Sequence, residues 1–130
     1  MKKILVVDDD VNLRSNLAQY LMSRGYLVQE AASGVEGVVL FEQQPFDLIV
    51  SDITMPEMDG FEFCRHLRAN RAGQLIPFLF LSGREEIEDR IQGHAIGADD
   101  YLKKPFEPRE LIAKIETQLE RSQRTHAEIL

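Results

Sequence analysis

The sequence predicts an α/β fold, a single doubly wound parallel sheet of five strands, and three observations carry that reading. Residues 4–7 and 48–50 are apolar without alternation, as in strands buried on both faces. Strand-like runs alternate five times with segments of helical periodicity, the pattern of parallel α/β domains. The apolar run at 48–50 delivers Asp52 to its end and then breaks at Pro56 and Gly60, which stop helix or strand from continuing. Open parallel sheets place their ligands at the carboxyl ends of strands, so Asp52 is the first candidate for chemistry.

Taken in order, residues 4–7 form the first strand, and Asp10 can cap a helix whose apolar stripe is Leu13, Leu17 and Leu21, closed by Gly25. Residues 26–31 read as a second strand. Ser33 and Glu36 stand at capping-box spacing before a helix carrying Val38, Val39 and Phe41. After the Asp52 strand, a helix over 61–70 buries Phe61, Cys64 and Leu67, and a loop containing Gly73 leads to a strand over 76–81. A fourth helix over 85–96 takes its stripe from Ile87, Ile91 and Ala95. A short strand at 100–102 precedes Pro108, suited to the first turn of a last helix with its stripe at Leu111, Ile115 and Leu119. Beyond Leu119 the chain is polar all round, so 1–120 is expected to be the domain and 121–130 a polar helix extension or the start of a linker. The apolar pair Ile129-Leu130 suggests a chain continuing into a further segment.

At 130 residues, 44% of them apolar, the chain has room for one domain with one core. A net charge of −7 argues against direct nucleic-acid binding, which needs a basic face to neutralise phosphates. Cys64 is the only cysteine, no signal peptide is present, and no apolar run approaches the roughly 18–20 residues that span a bilayer. A reduced cytoplasm is the expected compartment, with no membrane partner.

Four segments carry chemistry: Val6-Val7-Asp8-Asp9, Asp52 to Gly60 with its Met-Pro and Met-Asp-Gly, Leu81-Ser82-Gly83, and Tyr101-Leu102-Lys103-Lys104-Pro105-Phe106. In order and spacing they resemble the receiver domains of two-component response regulators, and the resemblance covers about residues 3–120. It implies a flavodoxin-like sheet of order 2-1-3-4-5, in which the ends of strands one and three are neighbours and Asp8, Asp9 and Asp52 converge. Hard oxygen donors with no histidine nearby favour Mg²⁺ over zinc. The plainer reading of Asp8 to Asp10 is as caps for the first helix, for which one residue would suffice.

By the same resemblance, Asp9, Asp52 and the backbone carbonyl of Thr54 ligate the metal, with Asp8 acting through water. Asp52 is the phosphoacceptor, a carboxylate nucleophile. Lys104 neutralises the charge there; Lys103 competes for that role, but strand alternation sends it to the other face. A cis bond between Lys104 and Pro105 is implied. Ser82 and the N–H of Gly83 reach for the phosphoryl oxygens, and Tyr101 is the switch aromatic, its plainer reading being a half-buried strand tyrosine. Phosphate comes from a histidine kinase or phosphotransfer protein, and the fourth helix, last strand and last helix signal to an output domain past Leu130 or to a partner, the output being expected to be transcriptional. The chain is not itself an enzyme beyond promoting its own phosphorylation and dephosphorylation.

The segment from Gly97 to Phe106 is similar to receivers attached to winged-helix DNA-binding domains, which dimerise through that face; Arg90, Asp99, Asp100, Lys114 and Arg121 fit their charged pairs, whereas Ala95 stands where a glutamate is common. Thr54 and Arg84, two residues past Asp52 and Ser82, are the candidates for setting phosphate lifetime, and neither orients water well. His66, His94 and His126 read as surface residues, and Phe61, Phe63, Phe78, Phe80 and Phe106 as packing. A haloacid-dehalogenase-type phosphohydrolase is the alternative, through Asp8 and Asp10, but its lysine precedes its later acidic pair and the Asp52 segment goes unexplained. A phosphate-independent interaction module predicts decay of Asp9, Asp52, Ser82 or Lys104, and all four are present.

Overall fold

The computed structural model describes residues 1–83, 91, 95 and 97–129, the last five by their backbone alone. Strands β1 (Lys3–Val7), β2 (Leu27–Ala31), β3 (Leu48–Asp52), β4 (Phe78–Ser82) and β5 (Asp100–Lys103) form one sheet of order β2-β1-β3-β4-β5, with every neighbouring pair parallel. Helices α1 (Val11–Ser23), α2 (Gly34–Gln43) and α3 (Gly60–Arg68) follow the first three strands, and a C-terminal helix spans Pro108–Ile129. This is the predicted class and strand order.

The strands read as unbroken apolar runs because alternate residues feed two different cores. Leu5, Val7, Ile49, Phe78 and Phe80 face α2 and α3, where they meet Val38, Phe61, Phe63, Cys64 and Leu67. Ile4, Val6, Leu48, Val50, Leu79 and Leu81 face α1 and the C-terminal helix, meeting Leu17, Leu21, Leu111, Ile115 and Leu119. Each such side chain contributes about 1.5–3 kcal/mol on burial, so the central strands are fixed from both sides. The aromatic residues form an edge-on chain through the first core: Phe61 against Phe80 at 5.2 Å, Phe63 against Phe78 at 5.6 Å.

Helix starts follow the caps. Asp10 accepts from Leu13 N at 3.1 Å, Ser33 from Glu36 N at 3.1 Å, and Asp59 from Glu62 N at 2.8 Å, each satisfying an N–H that the first turn leaves open. Gly25 ends α1 at φ +95°, a left-handed position that an L side chain occupies only with strain.

Several expectations are corrected. Val39 is 46% exposed, because Gly34, Gly37 and Val38 supply the buried face of α2. Ile91 is 63% exposed and Ala95 is exposed; their spacing places them on one face but does not say which face meets the sheet. Ile87 and His94 lie outside the described residues. The fourth strand starts at Phe78, not at Ile76, since Pro77 has no N–H for a ladder; its carbonyl still accepts from Ile49 N at 2.9 Å. The segment expected to continue α3 to Asn70 ends at Arg68 and gives way to a 3-10 turn at Arg71–Gly73. Residues 121–129, read as a polar helix extension or the start of a linker, continue the C-terminal helix to Ile129, with Gln123 and Arg124 exposed.

The loop after β3 folds back so tightly that a Cβ on Gly60 would lie 2.3 Å from the carbonyl oxygen of Asp52 and 2.8 Å from Ile53 Cα. Gly60 N–H donates to Ile53 O at 2.7 Å, closing the turn, while Glu57 takes a left-handed φ of 68° to reverse the chain. Backbone atoms cannot yield as a flexible side chain does. Gly60→Ala is therefore expected to lower the unfolding free energy by about 3 kcal/mol, against about 1 kcal/mol for Gly25→Ala, whose Cβ meets only backbone strain. Urea unfolding of the two variants reads the difference; equal losses would show that close approach does not dictate glycine at position 60.

Candidate functional site

Val7 pairs with Ser51 in the β1–β3 ladder, so Asp8 and Asp9 leave β1 beside the point where β3 delivers Asp52. One carboxylate oxygen from each of Asp8, Asp9 and Asp52 lies within 4.8 Å of the others. Asp8 is 3% exposed, Asp9 is exposed and Asp52 is half-buried. Three like charges at that separation repel, and among the described residues Lys104 sets a cation beside two of them. Lys104 Nζ donates to Asp8 Oδ2 at 3.0 Å and lies 3.5 Å from Asp52 Oδ1. Its long stem brings the ammonium from the end of β5 across the end of β4, and its own N–H donates to Ser82 O at 2.8 Å. Lys103, one residue earlier, is exposed.

Asp10 alone caps α1, which leaves Asp8 and Asp9 free of that duty. Asp8 is held instead by its neighbours: Asp10 N donates to its Oδ1 at 3.0 Å, and its own N–H donates to Ala31 O at 3.1 Å. Asp52 Oδ1 accepts from Ile53 N at 2.9 Å. Ser82 ends β4, buried, one strand over from Asp52, whose register partner is Leu81. Tyr101 is half-buried in β5 with its ring 5.4 Å from that of Phe80. The Lys104–Pro105 bond is cis. Thr54 is exposed two residues past Asp52, Gly83 is exposed after Ser82, and His66 is exposed on α3; Arg84 and Arg90 lie outside the described residues.

Sequence reasoning brings together Asp8, Asp9, Asp52, Ser82 and Lys104, and the structure places all five at the carboxyl ends of β1, β3, β4 and β5. It misses Arg14. That residue sits on α1 and its guanidinium donates to Asp8 O at 2.8 Å and to Glu30 Oε1 at 3.0 Å, a strand–loop–helix contact that leaves no periodic signal. The donor set of three carboxylates, open on the solvent side at Asp9, fits a hard divalent cation such as Mg²⁺. It offers no nitrogen or sulfur to a softer metal.

Burial pushes the Asp52 carboxyl above the ordinary carboxylate range and the Asp8 charge adds to the shift, while Lys104 and the Ile53 N–H pull the other way. A raised folded-state value means that the native protein binds the proton more tightly than the unfolded chain. The ionised form then costs stability: the native state is favoured below the unfolded value of about 3.9, and that advantage is lost as pH rises through the folded value. Asp52→Asn removes the charge and keeps the shape. Without divalent cation it is expected to melt higher than the wild type at pH 7, with the difference closing below about pH 4. A gap that persists unchanged at pH 3.5 would mean that the gain does not come from the carboxylate's charge.

The family described as response regulator receiver domain matches residues 4–116. The DNA-binding dual master transcriptional regulator RpaA of Synechocystis is 40% identical over an alignment covering 100% of this chain and 56% of that protein. The transcriptional regulatory protein ResD of Bacillus subtilis is 39% identical over 95% of this chain and 50% of its own length, so the chain spans about half the length of the curated relatives it matches. Among solved structures, the CheY-like receiver domain protein of Methanospirillum hungatei superposes with a TM-score of 0.91 at 32% identity, covering 96% of this chain and 98% of that one. Chemotaxis protein CheY4 of Vibrio cholerae gives 0.87 at 36% identity over 90% and 98%. With this sheet order, this acidic cluster and these matches over nearly its whole length, the chain belongs to the receiver domains of two-component response regulators.

Proposed function

We propose that Asp52 is the phosphoacceptor of this receiver, taking a phosphoryl group from a phosphohistidine on a histidine kinase or phosphotransfer protein. The observation that carries the reading is Lys104 Nζ at 3.0 Å from Asp8 and 3.5 Å from Asp52, a cation seated where a phosphoryl group would bring further negative charge. A carboxylate oxygen of Asp52 attacks phosphorus; the P–N bond breaks as the P–O bond forms, and the electron pair leaves with the imidazole nitrogen, which takes up a proton. Asp8, Asp9, Asp52 and the Thr54 backbone carbonyl would hold Mg²⁺, which when bound supplies positive charge to the phosphoryl oxygens. Lys104 supplies the second positive charge, positioned just past the end of β5 by its own N–H to Ser82 O. Catalysis is then a matter of position and electrostatics within the chain's own acidic pocket, with no turnover of a separate substrate.

Ser82 donates its hydroxyl to the phosphoryl group, and Tyr101, on the neighbouring strand, reports the change to the surface around β5 and the C-terminal helix. The relatives are transcriptional regulators by name, and each is about twice as long as this chain. That supports an output domain past Leu130, a transcriptional role and a cytoplasmic setting; with a net charge of −7, nucleic acid is contacted by the output domain and not by this one. Homodimerisation on phosphorylation has a specific hurdle. Asp99 is engaged by Arg68 at 3.2 Å and Asp100 by Lys114 at 3.0 Å within one chain, so a dimer built on those charges must exchange these pairs.

Incubation with Mg²⁺ and acetyl phosphate tests the assignment: phosphate is expected on the wild type and on Asp8→Asn at a reduced rate, and to be absent from Asp52→Asn. Label that survives Asp52→Asn and vanishes in Asp8→Asn would point instead to dehalogenase-type chemistry. Removing the acetyl phosphate from the same samples reads the lifetime, with the wild type expected to hold its phosphate longer than a Thr54→Asn/Arg84→Glu variant; equal decay would release those two positions from that role.

A further inference from the structure

Among the described residues, Arg14 is the site-facing cation that the reading above leaves without a task. It lies in the second turn of α1, its side chain is only 14% exposed, and its partners are unlike those of a surface arginine. Nη1 donates to the backbone carbonyl of Asp8 at 2.8 Å, and Nε donates to Glu30 Oε1 at 3.0 Å. Glu30 is placed by the alternation of β2. Val28 packs into the core under α1, so Glu30, two residues on, shares that side, and Ala31 turns to the other core. Val6 pairs with Glu30 in the ladder, so the acid stands beside β1 just before it ends.

The carbonyl in question is that of the peptide joining Asp8 to Asp9. Strand β1 stops at Val7, so past that point the ladder no longer orients the backbone, yet this peptide unit carries both carboxylates of the acidic pocket. Three other contacts on Asp8 fix its N–H and its two carboxylate oxygens: Ala31 O, Asp10 N and Lys104 Nζ. None of them fixes the rotation of the plane between Asp8 and Asp9. Arg14 does, with a charge-assisted bond stronger than an ordinary amide contact. Glu30 in turn takes Nε and holds the fork in its bond to Asp8 O.

We propose that Arg14, held by Glu30, is a positioning residue that sets the Asp8–Asp9 peptide and thereby the spacing of the cation-binding carboxylates. This rests on the acidic pocket being the Mg²⁺ site proposed above. Groups one step behind metal ligands are commonly worth 10- to 100-fold in affinity, because they fix ligands that would otherwise sample other orientations. A merely structural tie between α1 and β2 would cost stability and leave affinity alone.

The two roles separate by measuring Mg²⁺ affinity directly, through amide chemical shifts titrated with the metal alone. Arg14→Met keeps the apolar stem and is expected to weaken Mg²⁺ binding by about tenfold. Arg14→Lys can reach Asp8 O or Glu30 but not both, and is expected to fall between Arg14→Met and wild type; it also serves if Arg14→Met does not fold. Arg68→Met is the control: an arginine 15% exposed and equally well tied, but to Gly73 O, Ile76 O and Gly97 O at the amino ends of β4 and β5. It is expected to lose stability and to keep wild-type affinity. Affinity within twofold of wild type in the Arg14 variants, with Asp52→Asn abolishing binding, would overturn the proposal and leave the pocket's assignment standing. A wild type that takes up no Mg²⁺ would overturn both.

Discussion

The site exists because three carboxylates that repel one another are held by something stiffer than their repulsion. Two unit charges about 4 Å apart cost about 4 kcal/mol at the effective dielectric of a protein surface, and each of three pairs carries some fraction of that. Lys104 offsets part of it. The remainder is borne by β1 and β3, whose residues from Ile4 to Val7 and from Leu48 to Val50 are essentially without exposure. A strand packed on one face could relieve the strain by tilting; one wedged between Leu17 and Leu21 on one side and Phe63 and Leu67 on the other cannot. The double core is therefore a requirement of the chemistry as much as of the fold.

The same constraint explains the shape of the loop after Asp52. Its carbonyl must stay close to Gly60, leaving no room for a Cβ, so that α3 begins under β3 and Phe61 reaches Phe80. Met58 closes the other side, its side chain against Gly34 at the start of α2. Glu57 accepts a left-handed backbone to make the reversal, a conformation a non-glycine residue holds only where its surroundings determine it. Backbone rigidity at this loop and charge crowding at the strand ends are two sides of one design.

Much of this was legible in the residues, and the limits have physical causes. Asp10, Ser33 and Pro108 mark helix starts because capping is local chemistry, visible within three or four positions. Lys104 separates from Lys103 by the strict alternation of a strand. The order of the strands was not legible from periodicity, since a strand buried on both faces is apolar everywhere and names no neighbour; it came with the family resemblance. Ile91 was misassigned for the related reason that spacing groups residues on one helix face without revealing which face is turned inward. Arg14 escaped notice because its partner is a carbonyl, and a backbone oxygen leaves no trace in sequence. Asp99 and Asp100 read as candidates for contact between chains, and within one chain they pair with Arg68 and Lys114.

Those last contacts divide the sheet into a fixed end and a working end. At the amino ends of β4 and β5, Arg68 gathers the carbonyls of Gly73, Ile76 and Gly97, lies 6.0 Å over the Phe78 ring, and pairs with Asp99, which also accepts from Phe78 N at 2.8 Å. Around β1, Lys3 is tied in the same way: its N–H donates to Asp47 Oδ2 at 2.7 Å and its ammonium reaches Gln44 and the Phe46 ring. With the amino ends tied down by charge-assisted bonds to the backbone, a change in contacts at Ser82 or Lys104 has little freedom to slide a whole strand. It is confined to side chains and to the loops at the carboxyl ends, where Ser82, Gly83 and the cluster of carboxylates already lie. On the proposed reading, a switch confined to one end of a rigid sheet can respond to a single phosphoryl group, because the interactions it gains are not spent on deforming the core.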